Sequence, residues 1–334
     1  MAENSKIQWT DHTINFWTGC HKVSTGCKFC YMYRDQERYG KKPTDVLKVK
    51  QKTIEKVLRK AVKGDKIFTC SWSDFFIEEA DEWRSWAWDI IRSRPDLDWQ
   101  ILTKRPERIA ECLPEDWGQG WNNVWLGISV ENQENALKRI PILADIPCKV
   151  RFLSIEPLVG RVELNKIFTD GWFPSYNDPD NSSGAIPAEP YLPYFHWVIV
   201  GGESGNENGK WKYRPSKSDW YNEIVDVCSK FNVPVFVKQL GTHLSKEFAL
   251  SDRHGGDINE FPKNLQVRQF PKSHNIKEFV LGNAKDLARN FLYYDRKEDE
   301  DLKIGDIQES VSRGLVTKEE IIQAFSDELD KWWN

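Results

Sequence analysis

The 334-residue sequence lacks any long apolar run, and no stretch approaches the roughly 18 consecutive apolar residues of a membrane-spanning helix. Residues 1–6 contain no apolar segment of the secretory kind, so no signal peptide is expected. A net charge of −4 excludes a positive field over the whole surface, but it is compatible with a local basic pocket. With 40% hydrophobic residues and a mean hydropathy of −0.63, we expect a soluble cytoplasmic protein without a membrane partner.

The sequence also lacks the cysteine pattern of a disulfide framework, because the count of seven is odd and four of the cysteines are scattered. In a reducing compartment, the three clustered cysteines are typical of metal or cluster ligands. The scattered ones are predicted to be small buried hydrophobic residues: Cys70, Cys112, Cys148 and Cys228.

Apolar runs alternate with helical patterns along most of the chain. The runs with strand character lie at 14–18, 66–71, 99–103, 123–130, 149–154, 195–201 and 233–238. Apolar residues at helical spacing occupy 54–62, 83–91 and 220–231. This alternation predicts an α/β fold with a parallel sheet, and seven strands favour a full or partial β/α barrel over an open sheet.

The sequence divides into a barrel and an appendage. We predict a β/α barrel over 1–241, interrupted by an inserted loop at 168–193 that is rich in Gly, Pro, Ser, Asn and Asp. Residues 242–334 are predicted to form an α-rich C-terminal extension, with helices near 284–296 and 317–333. Such an extension is expected to lie against the barrel.

A three-cysteine motif follows the first predicted strand, at Cys20, Cys27 and Cys30. Loops at the carboxyl ends of barrel strands carry the chemistry of that fold. Three thiolates suit a [4Fe–4S] cluster whose fourth iron stays open to S-adenosylmethionine (SAM). Two alternatives stay open: a zinc site completed by His21 or His12, and thiols without a ligand.

Polar residues recur at the ends of the other predicted strands, where a barrel enzyme places its working groups. Any one of them could instead cap a helix, and the basic pair Lys104–Arg105 could form salt bridges to Glu131 or Glu156. The candidate pocket residues are Asp74, Lys104, Glu131, Glu156, Glu203 and Lys238.

Together these motifs resemble a phage-associated three-cysteine family that is regarded as radical-SAM-like and is described as a phage protein of unknown function. The resemblance covers about residues 7–241. It rests on the cysteine motif and on residues 7–11, 73–75, 102–106, 124–132, 151–157, 201–205 and 236–241.

The resemblance implies a [4Fe–4S] cluster on the three cysteines together with SAM. Radical-SAM enzymes hold SAM with a Gly-Gly-Glu motif after the second strand; here that strand ends in Ser73-Asp74, which would take this role. With Ser129 and Glu131 at the end of the fourth strand, the candidate cofactor-binding residues are Ser73, Asp74, Ser129 and Glu131. The candidate catalytic residues, also taken from the strand ends, are Lys104, Glu156, Glu203 and Lys238.

The leading hypothesis is a radical-SAM-type enzyme that receives electrons from a donor protein and modifies or repairs a nucleotide or nucleic acid. A sequence pI near 6.0 argues against tight binding of a duplex. Two alternatives are a zinc-stabilised binding module without enzymatic activity and a cluster-containing redox sensor. A polar, glycine-opened barrel mouth weighs against both.

Overall fold

The computed structural model describes residues 5–169, 195–271 and 318–333. The chain forms two compact units, Met1–Phe270 and Pro271–Asn334. Seven strands of the first unit form one parallel sheet: β1 (His12–Ile14), β4 (Lys66–Thr69), β5 (Asp98–Thr103), β6 (Val124–Ser129), β7 (Val150–Ile155), β8 (Trp197–Gly201) and β9 (Val235–Gln239). Two short strands, β2 (Trp17–Thr18) and β3 (Leu47–Lys48), pair antiparallel beside it.

The sheet winds in one direction, because each strand pairs with the next one in the order β1-β4-β5-β6-β7-β8-β9. It curls into a half-barrel, which confirms the prediction of a partial β/α barrel. The helices of this unit are α1 (Tyr31–Arg38), α2 (Gln51–Leu58), α3 (Asp81–Ser93), α4 (Ile109–Cys112), α5 (Gln133–Ala144), α6 (Leu164–Thr169), α7 (Ser218–Lys230) and α8 (Gly241–Glu247).

The strand predicted at 14–18 was wrong in its limits, because the chain leaves the sheet at Asn15. The Asn15 side chain accepts a hydrogen bond from the backbone N–H of Trp72 at 2.8 Å and contacts the Ser71 hydroxyl. Phe16 and Trp17 then pack into the core on the helix side. The apolar character of the run therefore reflects burial rather than one continuous strand.

Two buried clusters occupy the two faces of the sheet. The larger lies between the sheet and the helices and takes alternate strand residues such as Ile101, Leu126 and Leu153. The smaller fills the lower part of the concave face with mainly aromatic side chains: Trp9, Phe68, Trp125, Val150, Phe152, Trp197, Ile199 and Phe236. The half-barrel is therefore solid at its amino end, and its carboxyl end is left for other groups.

Residues 265–270 cover the exposed edge of β9. The N–H of Val237 donates to the carbonyl of Val267 at 2.9 Å, and the N–H of Gln269 donates to the carbonyl of Val235 at 2.9 Å. A covered edge does not offer unpaired backbone groups to another chain. These residues belong to the same compact unit as the sheet, on the C-terminal side of the boundary predicted at 241/242.

In the second unit the structure describes α9 (Lys318–Trp333), which agrees with the helix predicted at 317–333. The helix predicted near 284–296 and nearly all of the predicted loop 168–193 lie outside the described residues. Within the described ranges, no helix is both long and apolar enough to span a bilayer.

Candidate functional site

The carboxyl half of the concave face is polar. Along β7, Phe152 belongs to the aromatic floor and Ser154 follows two residues later, on the same face, since side chains alternate along a strand. The same alternation brings Ser129 beside Ser154, and it brings Lys104 and Lys238 to the same face from β5 and β9. The predicted strand-end residues are thus brought together at this edge.

The cysteine loop crosses this edge between β2 and α1 and is held by short polar contacts. The hydroxyl of Ser73 donates to the carbonyl of Gly19 at 2.5 Å, and that of Tyr33 donates to the carbonyl of Cys20 at 2.5 Å. Gly26 lies directly against Glu131, and a Cβ there would meet the Glu131 carboxylate at 2.4 Å. The loop can therefore approach the sheet only with glycine at that position.

The three thiols of the loop are free and only partly exposed. Burial, with the nearby carboxylate of Asp74, raises the pKa of the Cys20 thiol to about 12, although the Arg105 guanidinium acts in the opposite direction. Burial likewise raises the pKa of Cys30. Thiols in such surroundings stay protonated unless a metal replaces the proton.

Two consecutive basic residues at the end of β5 lie next to the thiols. Arg105 Nη1 lies 3.8 Å from the Cys20 sulfur, and Nη2 donates to the His21 carbonyl at 3.0 Å. Burial by itself lowers the pKa of Lys104, but the Glu131 carboxylate, together with Cys27 and Cys30 in their thiolate form, outweighs burial and raises it. The loop therefore lies against fixed positive charge, which would offset part of the negative charge of metal-bound thiolates.

Asp74 uses both carboxylate oxygens within the protein. Oδ1 accepts from the Thr103 hydroxyl at 2.7 Å, and Oδ2 accepts from the Lys104 backbone N–H at 2.9 Å and lies 3.1 Å from Arg105 Nη1. Asp74 thus orients Arg105 toward the cysteine loop. That Ser73 and Asp74 also contact a cofactor stays a prediction.

Glu131 is fully buried and joins three parts of the site. Its Oε1 accepts from the Ser24 hydroxyl of the cysteine loop at 2.8 Å, and its Oε2 accepts from Arg139 of α5 at 2.9 Å. Lys104 Nζ lies 3.6 Å from Oε1 and donates to the Ser129 hydroxyl at 2.9 Å. The predicted Lys104–Glu131 salt bridge is therefore present.

A second ion pair spans the same face between β7 and β9. Glu156 Oε1 lies 3.0 Å from Lys238 Nζ, and both side chains are mostly buried. The carboxylate fits there because residue 201 is glycine; a Cβ would meet Glu156 Oε1 at 2.4 Å. The buried Ser154 hydroxyl, on β7 opposite Ser129, has no hydrogen-bond partner among the described residues.

The last predicted catalytic residue, Glu203, lies in an ion pair that the sequence did not reveal. Arg214 donates to the Glu203 carboxylate at 2.5 and 2.8 Å, and its Nη1 donates to the Thr25 carbonyl of the cysteine loop at 2.8 Å. Arg214 therefore connects the loop after β8 to the cysteine loop. Arg139 was also missed, although a basic residue inside the apolar stripe of a helix indicates a buried partner.

The loop offers three cysteine sulfurs, which is the donor set of a cluster with three protein ligands. The Tyr33 hydroxyl is within electrostatic reach of all three thiols, and two cations lie beside them. Within the described ranges, no three His, Cys, Asp or Glu side chains are grouped to hold a single metal ion. His21 contacts Glu79 at 2.7 Å, and His12 contacts Asp65 at 3.0 Å.

Three of the scattered cysteines, Cys112, Cys148 and Cys228, lie away from this edge, whereas Cys70 directly follows β4 and lies near Cys20 and Asp74. Cys70, Cys148 and Cys228 are buried in or against the core, as predicted, and Cys112 is half-buried beside Arg108. A surface groove of about 850 Å³ lies between α3 and residues 108–116, on the helix side. Its arginines are paired with aspartates, so its charges are already balanced.

Comparison with known proteins gives one family. A family model described as a protein of unknown function (DUF5131) matches residues 4–291, which is most of the chain. No curated protein and no solved structure matches.

Proposed function

Since the chain belongs to the DUF5131 family, whose description assigns no activity, we propose its function from the site: an iron–sulfur enzyme of the radical-SAM type. The observation that supports the proposal most is the cysteine loop itself. It carries three free thiols at the carboxyl edge of a parallel half-barrel, with Arg105 and Lys104 beside them.

Cys20, Cys27 and Cys30 would hold a [4Fe–4S] cluster, and three protein ligands would leave one iron free for a small molecule. When bound there, such a cluster would supply the one electron needed for reductive cleavage of the C5′–S bond of SAM, which gives methionine and a 5′-deoxyadenosyl radical. A donor protein would provide that electron. The low-potential chemistry needs shielding from solvent, and the partial burial of the three cysteines provides part of it.

The chain's own residues have separate tasks in this proposal. Arg105, oriented by Asp74, fixes the position of Cys20, and Ser24 ties the loop to the buried Glu131. The concave face next to the loop offers Lys104 and Lys238 as donors. The aromatic floor below them closes the amino end, so a bound molecule would enter from the carboxyl edge.

The test is anaerobic reconstitution of the full chain with iron and sulfide, followed by reduction with dithionite in the presence of SAM. We expect about four irons per chain and the absorption band of a [4Fe–4S] cluster. We also expect 5′-deoxyadenosine by chromatography. Cys27→Ala should lose both, whereas Cys228→Ala, which removes a buried thiol from α7, should lose neither.

Zinc in place of iron, with tetrahedral coordination and no affinity for SAM, would refute the proposal in favour of a zinc-stabilised binding module. A cluster that forms, changes oxidation state and leaves SAM intact under all conditions would favour a redox sensor. Retention of a full cluster by Cys27→Ala would contradict the assignment of the three ligands.

A further inference from the structure

Two segments beside the site carry a local positive charge that the whole chain lacks. They are residues 20–42, which include the cysteine loop and α1, and residues 204–217 between β8 and α7. Together they hold ten Lys and Arg against three Asp and Glu, a net charge of +7 in a chain whose net charge is −4. We call this surface the basic rim.

The two segments of the basic rim are in contact. Lys210 Nζ lies 2.7 Å from the Glu37 carboxylate of α1, and Arg214 donates to the Thr25 carbonyl at 2.8 Å. The positive charge therefore forms one surface around the cysteine loop. A patch of one sign inside an otherwise acidic protein concentrates an anionic partner at that patch.

Most of these cations are available to a partner. Four of the ten form ion pairs: Arg34, Lys42, Lys210 and Arg214. The other six are exposed and have no carboxylate within salt-bridge distance in the part of the chain that the structure describes: Lys22, Lys28, Arg38, Lys41, Lys212 and Lys217. Unpaired like charges held close together are stabilised by a polyanion.

Aromatic rings alternate with these cations. Lys28 Nζ lies 5.3 Å from the centre of the Phe29 ring, and Lys210 Nζ lies 5.2 Å from that of Trp211. Tyr39 is 64% exposed and lies against Trp72, with ring centres 6.4 Å apart. Lysines for phosphates and accessible rings for bases are the two elements with which proteins bind single strands.

We propose that the basic rim binds a single-stranded nucleic acid, with phosphates on the unpaired lysines and bases stacked on the rim's aromatic rings. A duplex keeps its bases stacked on each other and cannot use those rings. Binding needs no cluster. Only the further step, that the bound strand is the substrate of the cysteine edge, rests on the proposed function.

The experiment measures fluorescence anisotropy of labelled oligodeoxythymidine, oligouridine and a duplex of equal length with the full chain between about 50 and 200 mM salt. We expect a single strand to bind more tightly than the duplex. Each phosphate contact contributes about −0.7 to the slope of log K against log salt for a single strand, so Lys28→Ala/Lys212→Ala should flatten the slope by about 1.4. Preference for one sugar identifies the strand as DNA or RNA.

Tyr39→Ala should weaken binding about tenfold without changing the salt slope, since it removes a ring and no charge. The matched control is Lys63→Ala/Lys138→Ala, which removes two exposed lysines before β4 and on α5 and should leave affinity and slope unchanged. Melting curves of every variant show whether it is folded.

Absence of binding by both single strands would overturn the proposal. So would equal affinity for the duplex, or a Lys28→Ala/Lys212→Ala variant that behaves like the control. Cys27→Ala should still bind the strand. Absence of 5′-deoxyadenosine in the wild-type reaction, with strand binding intact, would therefore refute the proposed chemistry and not the basic rim.

Discussion

The strongest test of the site's architecture is Glu131→Gln, which keeps the shape of the side chain and removes its charge. In the wild type, one buried carboxylate balances Lys104 and Arg139 and accepts from Ser24. In the variant, the two cations face a neutral amide, and the amide nitrogen is a donor where an acceptor is required. The cysteine loop would then lose the hydrogen bond from Ser24 to residue 131, or keep it only with the amide nitrogen turned toward Lys104 or Arg139.

The magnitude follows from the burial of the pair. Removing one partner of a buried ion pair costs about 3–5 kcal/mol, and the amide retains one hydrogen bond worth about 1 kcal/mol. Lys104 keeps some contact with water, which reduces the cost further. We expect the free energy of unfolding to fall by about 2–4 kcal/mol, measured by anaerobic urea denaturation, with a melting temperature about 3–7 °C lower.

Two further variants separate this reasoning from a general effect of mutation. Glu134→Gln removes an exposed carboxylate from the first turn of α5, three residues after Glu131, and should change stability by less than about 0.5 kcal/mol. Glu131→Gln/Lys104→Met also removes one of the uncompensated cations and should recover about 1–2 kcal/mol. A Glu131→Gln variant as stable as the wild type, or a double variant without recovery, would refute the assigned ion pair.

Three other outcomes are expected. Burial raises the pKa of Glu131, but Lys104 and Arg139 outweigh burial and lower it. The ionised Glu131 carboxylate therefore stabilises the folded state above the unfolded-state pKa near 4.3, and this stabilisation is lost as the pH falls through the lower pKa of the folded state. The stability difference between wild type and Glu131→Gln should therefore shrink below about pH 4 in acid denaturation, and a constant difference would contradict this. Gly201→Ala brings a Cβ to 2.4 Å from the Glu156 carboxylate and should cost about 1–3 kcal/mol in urea melts. Arg214→Ala releases the carbonyl of Thr25, so limited proteolysis should cut the cysteine loop faster, whereas an unchanged cleavage rate would speak against that contact.

The strand pattern could be predicted because six of the seven sheet strands are short apolar runs separated by helical periods. Parallel strands that are buried on both faces have near-continuous apolar sequences of this kind. The first strand was misplaced for the same reason. Ile14, Phe16 and Trp17 are all buried, but Asn15 turns the chain out of the sheet, and burial alone does not show where pairing ends.

The candidate site could be predicted as a group and not as a set of contacts. Strand ends bring Lys104, Glu131 and Glu156 together because parallel strands share one carboxyl edge. Which ions pair depends on side chains from distant helices and loops. Arg139 and Arg214, which neutralise two of the predicted acids, lie 8 and 11 residues from their partners and follow no motif.

The division of strands such as β7 into an aromatic lower part and a polar upper part separates the side chains that hold the half-barrel together from those that do not. On β7, Phe152 supports the half-barrel, and Glu156 lies four residues further along the chain, past the end of the strand. Exchanging the upper side chains leaves the lower ones in contact. Substitutions confined to the polar side chains at the carboxyl ends of the strands could therefore change ligand specificity over evolutionary time. The aromatic scaffold below them would stay the same.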